Sequence, residues 1–83
     1  MNDDEIIELL RSSEGHTAVE IAELLDRLTA GGLSQATIVT YFKRAFPNVP
    51  LSILLEAGGW SRVGGSTLDD SGFNDLLRPW VGR

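Results

Sequence analysis

The sequence contains no cysteine, one histidine and three prolines among its 83 residues. Without cysteine the chain has neither disulfide bonds nor thiolate metal sites. No apolar run approaches the ~20 residues that cross a bilayer, and the acidic start, Met1 to Glu5, lacks the basic and then apolar layout of a signal peptide. We therefore expect a soluble, cytoplasmic protein that forms a single domain over residues 1–83.

Recognisable catalytic groups are equally scarce. His16 is the only histidine, and it precedes a helix cap without a Ser or Asp partner at a suggestive spacing. The glycine-rich run 58–66 has neither the Lys-Ser/Thr ending of a P-loop nor the glycine order of a dinucleotide-binding turn. No metal-ligand spacing is present. These absences predict a non-enzymatic protein that uses no metal and no cofactor.

Charge is distributed unevenly along the chain, whose formal net charge is −5. Residues 1–30 hold eight acids and two bases, a net charge of −6, whereas residues 31–63 hold three bases and one acid, a net charge of +2. Residues 64–83 add −1. This polarity favours contacts between acidic and basic protein surfaces.

The hydrophobic residues, 42% of the chain, follow helical periodicity between turn signals. The fold class predicted is all-α, a compact bundle of about five short helices over residues 4–12, 18–30, 34–46, 50–57 and 68–78. Expected helix starts are Asn2 or Asp3, a capping box of Thr17 with Glu20, Ser34, Pro50, and a second capping box of Thr67 with Asp70.

The apolar stripes of these helices predict the core. We expect Leu25, Phe42, Leu54 and Leu76, each from a different helix, to meet in it. The first helix has its apolar stripe at Ile6, Ile7, Leu9 and Leu10. The fourth helix is nearly all apolar, with Leu51, Ile53, Leu54 and Leu55, which predicts a central position.

Two fragments resemble a helix-turn-helix motif. Residues 21–25, Ile-Ala-Glu-Leu-Leu, resemble its first helix, and residues 32–42, which begin Gly-Leu-Ser-Gln-Ala-Thr-Ile, resemble its turn and recognition helix. The fragments are separated by six residues more than the motif has. The resemblance implies that DNA would be bound by Ser34, Gln35, Thr40, Lys43 and Arg44. A Ser-capped core helix after a glycine stop is the alternative.

The interpretation preferred is a protein–protein interaction module of the adaptor kind. Its expected docking surface is the acidic surface of the first two helices, with Glu20, Glu23 and Asp26, which would meet a basic patch on another protein. Trp60 and Arg62 are candidate anchors, since both residue types are enriched in interface hot spots; alternatively Trp60 packs into the core with Val63. In size, helix number and charge polarity the chain is similar to small helical adaptor domains of the death-like and effector-associated kinds.

Overall fold

The computed structural model of the protein describes residues 2–13 and 15–81. Within them it contains five helices: α1 (Asp3–Arg11), α2 (Ala18–Leu28), α3 (Gln35–Ala45), α4 (Leu51–Ala57) and α5 (Asp70–Leu77). A short 3₁₀ helix, Ser61–Val63, follows α4, and an isolated parallel β-bridge pairs Trp60 with Leu68. The predicted all-α bundle of about five short helices is therefore confirmed.

Side-chain caps begin the first three helices where the sequence predicts them. Asn2 accepts a hydrogen bond from the backbone N–H of Glu5, and Ser34 accepts one from that of Thr37. Thr17 and Glu20 form the expected capping box, in which each side chain accepts from the other residue's backbone N–H. After the C-cap Thr29, Ala30 (φ 55°) and Gly31 (φ 83°) both adopt the left-handed conformation that ends α2, a conformation that costs least at glycine.

The second predicted capping box is wrong. The N-cap of α5 is Asp69, whose carboxylate accepts from the backbone N–H of Gly72 at 2.7 Å. The hydroxyl of Thr67 instead lies 3.4 Å from the carbonyl oxygen of Gly59. A carboxylate directly before the helix satisfies a free N–H and faces the positive end of the helix dipole. Thr67 therefore belongs to the loop before α5.

The main contacts between helices form a closed ring. α1 packs against α2 and α3, α2 against α5, α3 against α4, and α4 against α5. The order around the ring is therefore α1, α2, α5, α4, α3. In this ring α4 lies across the core from the pair formed by α1 and α2.

One hydrophobic core fills the ring. Leu25, Phe42 and Leu54 are fully buried in it, as the sequence predicts, and Leu76 packs against it half-buried while its neighbour Leu77 is fully buried. The predicted stripe of α1 is wrong at one position, because Leu9 is exposed.

Helix α4 does not occupy the central position that its composition predicts. It buries Leu54 and Ala57, but Leu51 and Leu55 are 51% and 53% exposed. The reason is geometric: a seven-residue helix at the rim of a ring turns only one side toward the core. Leucines one turn apart on the other side therefore face solvent.

Candidate protein-interaction surfaces

The carboxylates of α1 and α2 form an acidic edge on one side of the ring. It comprises Asp3, Asp4, Glu5, Glu8, Glu20, Glu23 and Asp26. The first five are exposed, and Glu23 and Asp26 are half-buried. Only Arg11 and Arg27 carry positive charge on these two helices. Negative charge therefore predominates on these two helices.

The three predicted docking carboxylates also make contacts within the protein. Glu20 accepts from the backbone N–H of Thr17 at 2.9 Å, and this hydrogen bond lowers the pKa of Glu20. Asp26 accepts from the backbone N–H of Leu33 at 3.2 Å, and Glu23 pairs with Arg62 at 2.9 Å. Substituting these residues therefore perturbs folding contacts as well as surface charge.

Trp60 is fully buried, so the prediction that it supplies an exposed anchor is wrong and the alternative that it packs into the core is correct. Its ring stacks on that of Phe73 with a centroid separation of 4.0 Å and an interplanar angle of 16°. Its indole N–H donates to Asp70 at 2.9 Å. The burial has a physical cause, since the stacked pair removes two large apolar surfaces from water and the polar N–H keeps a partner.

Arg62 belongs to the same cluster. One guanidinium nitrogen donates to Glu23 on α2 and another to Asp70 on α5, both at 2.9 Å, and the group lies 5.4 Å from the centre of the Trp60 ring. We call Glu23, Trp60, Arg62 and Asp70 the Trp60 clamp. It joins the 3₁₀ segment to two helices. The Arg62 guanidinium, which the sequence predicts to bind a partner, therefore already pairs with two carboxylates of its own chain.

Hydrogen bonds in the Trp60 clamp favour the charged forms of Arg62 and Asp70. The hydrogen bond from the Trp60 indole, followed by that from Arg62, lowers the pKa of Asp70. Hydrogen bonds to Glu23 and Asp70 raise the pKa of Arg62. All three ionised side chains remain partly exposed, so solvent screens the two ion pairs. The Trp60 clamp therefore joins the 3₁₀ segment to α2 and α5 through partly exposed ion pairs.

The candidate DNA-contacting residues lie on α3 and at its start. Gln35, Thr40 and Arg44 are exposed, whereas Ser34 caps the helix. The ammonium group of Lys43 donates to the carbonyl oxygens of Pro47 and Val49, at 3.1 and 2.8 Å. Lys43 therefore stabilises the turn between α3 and α4.

The side of α3 that faces α1 lies next to two acids of the edge. Arg44 is 3.8 Å from Asp4, and the hydroxyl of Tyr41 donates to Asp3 at 2.7 Å. The bond to Asp3 raises the pKa of the Tyr41 hydroxyl. Arg44, which the sequence predicts to contact phosphate, therefore lies beside negatively charged side chains.

Sequence reasoning missed the exposed large apolar side chains, Leu9, Leu51 and Leu55. Leu9 lies on α1 within the acidic edge, and the other two lie on α4 across the ring. The number of apolar residues in α4 could have predicted this exposure. A short helix with four large apolar side chains cannot direct all of them toward one core. The spacing of Leu51 and Leu55, four residues apart, identifies the exposed side.

Comparison of the chain with protein-family models, with curated protein sequences and with solved structures finds no match. In residues 2–13 and 15–81 no cluster of three or more His, Asp or Glu side chains is arranged to hold a metal ion. None of the helices described is long and apolar enough to cross a membrane.

Proposed function

We propose that this protein is a non-enzymatic protein–protein interaction module that docks a basic partner surface through its acidic edge. The observation that carries the proposal is the position of Leu9. This leucine is 42% exposed on α1, directly after Glu8 and one helical turn from Glu5. An exposed apolar side chain beside two carboxylates matches an element of protein interfaces, in which an apolar centre has a polar rim.

The surface formed by α2 and the loop before it is also concave. A shallow depression there is lined by Ser13, His16, Glu20, Glu23, Leu24 and Arg27. Its two carboxylates and the half-buried Leu24 suit the long side chain of a lysine or arginine, which combines an apolar stem with a charged end. Such a contact adds specificity to attraction between opposite charges.

DNA binding through α3 is the alternative function. It requires several free cations beside a helix that enters the major groove, because neutralisation of phosphates supplies most of the non-specific affinity. Lys43 and Arg44 carry the positive charge of α3, but Asp3 and Asp4 lie against the same helix. These contacts favour the protein-docking proposal over DNA binding.

The docking proposal is tested with the variant Glu5→Lys/Glu8→Lys. In the described structure Glu8 makes one weak contact, 3.9 Å from Arg11, so the double reversal removes edge charge with little loss of folding contacts. Proteins retained by the immobilised wild-type chain from cells that make it are identified, and their association rates are measured at low and high salt. We expect the double variant to associate about tenfold more slowly at low salt.

A matched control carries the same change of net charge elsewhere. Glu56→Lys/Asp75→Lys reverses two exposed carboxylates on α4 and α5, away from the acidic edge. It should bind the recovered partner at nearly the wild-type rate. Equal association rates for the wild type and the double edge variant would contradict docking through α1 and α2. Measurable, salt-sensitive affinity for a mixed DNA duplex at ~50 mM salt would favour the alternative.

A further inference from the structure

The exposed side of α4 carries two large apolar side chains with no partner among the described residues, beside the exposed Ser52 and Glu56. Leu51 and Leu55 lie one helical turn apart on it, and each leaves about half of its surface exposed. Single exposed leucines are common on protein surfaces, but two adjacent ones on a seven-residue helix form a continuous patch.

Helix α3 packs beside α4. The side chain of Gln35 lies against Gly58 at the end of α4, and the Lys43 ammonium bonds to the carbonyl of Val49 just before α4. Val39 is half-buried and lies midway between Gln35 and Lys43, four residues from each, so it sits in the same row beside α4. We call Leu51 and Leu55 the leucine face.

The leucine face is nearly free of charge, unlike the rest of the molecule. Glu56 is the one ionisable side chain of α4. Seven carboxylates lie instead on the acidic edge, on the far side of the ring. Two copies of a chain with net charge −5 repel each other, and this repulsion is smallest where the leucine faces meet and the acidic edges point apart.

We propose that the leucine face is the contact of a symmetric dimer between two copies of this protein. The same patch serves both copies, as a two-fold axis requires, so an uncharged apolar surface is complementary to itself. This contact leaves the acidic edge of each copy free. A dimer would thus present two acidic edges to a partner.

The size of the leucine face limits the affinity. A stable interface takes about 800 Å² from each partner, which is about a sixth of this chain's accessible surface of 4578 Å². The leucine face is smaller than that unless the turn before α4 joins it. We therefore expect a weak dimer whose population rises with protein concentration.

Sedimentation of the full chain over a concentration series up to about 1 mM tests the proposal. The wild type should form a dimer whose fraction increases with salt, because screening weakens the repulsion between acidic copies while apolar burial persists. Leu55→Glu should raise the dissociation constant tenfold or more. Leu9→Glu places the same charge at the other exposed leucine and should leave the dissociation constant unchanged.

Mixing two variants of opposite charge provides a second test of the dimer. Leu55→Glu and Leu55→Lys should each be monomeric alone and should associate when mixed, because a two-fold contact brings the two positions near each other. A wild type that stays monomeric throughout the series would overturn the proposal, as would an association that is lost in Leu9→Glu and kept in Leu55→Glu. Docking through the acidic edge weakens with salt, so the two proposals fail separately.

Discussion

Helix α4 and the segment after it, residues 58–69, are adjacent in the chain but contribute to the structure in opposite ways. The helix is rich in leucine, yet two of its leucines remain in solvent. The segment contains four glycines, yet it carries Trp60, a fully buried side chain stacked on Phe73 and hydrogen-bonded to Asp70. The partners available to a side chain, rather than the composition of its segment, thus decide its contribution to stability.

The largest effect is expected from Trp60→Ala. Loss of the stacked ring removes apolar burial and leaves a cavity, which should lower the free energy of unfolding by about 3–5 kcal/mol. For a chain of this length the total is roughly 4–12 kcal/mol, so much of the population would unfold on modest heating. Urea unfolding followed by circular dichroism measures the change. Leu55→Ala is the control and should lie within about 0.5 kcal/mol of the wild type; similar losses in both variants would contradict the contrast between the two regions.

Leu54→Ala allows a buried and an exposed leucine to be compared within α4 itself. Leu54 is fully buried, so its truncation should cost about 2–5 kcal/mol. Its neighbour three positions earlier, Leu51, is half-exposed, and Leu51→Ala should cost far less. Thermal melting of the two variants is the measurement. If Leu54→Ala melts within a degree or two of the wild type, α4 is peripheral to the core and the ring of five helices is not the stable unit.

Gly65→Ala tests the close approach of two backbone stretches within residues 58–69. A Cβ atom at Gly65 would overlap the backbone of Gly59, so two chain stretches approach each other here only because glycine has no side chain. Overpacking of this kind typically costs about 1–3 kcal/mol. Ser66→Ala, at the exposed neighbouring position, should have almost no effect. Equal urea midpoints for the two variants would show that the backbones at Gly59 and Gly65 can move apart without loss of stability.

The helices were predictable because their signals are local. Thr17 with Glu20 and Ser34 mark helix starts through contacts within three residues, and the stripes of α2 and α3 identify buried positions such as Leu25 and Phe42. The predicted helix bounds differ from the observed ones by one or two residues, for example at the start of α5, where Asp69 and not Thr67 is the cap. Local chemistry therefore accounts for the fold class and most of the core.

The candidate surfaces were less predictable because they depend on contacts between distant residues. Arg62 meets Glu23 across 39 positions, and Lys43 bonds to carbonyls whose direction depends on the turn before α4. Exposure of Leu51 and Leu55 follows from the position of α4 in the ring, which helical periodicity alone does not fix. The sequence thus predicts that the edge is acidic, but it does not predict which residues its side chains contact.

The smallest effect concerns the pH dependence of the Trp60 clamp. The pKa of Asp70 is lowered in the folded protein, so its contribution to stability is present above the unfolded value of about 3.9 and is lost as pH falls through the lower folded value. In Asp70→Asn an amide oxygen can still accept from the Trp60 indole, but the charge facing Arg62 is gone. We expect this variant to lose less stability than the wild type between pH 7 and pH ~3, as measured by urea midpoints. The control Asp75→Asn, which removes an exposed carboxylate paired with Arg78 on the same helix, should keep the wild-type pH dependence. An unchanged acid response in Asp70→Asn would mean that the charge on Asp70 does not fasten the segment to α2 and α5, and that stacking on Phe73 alone holds Trp60 in place.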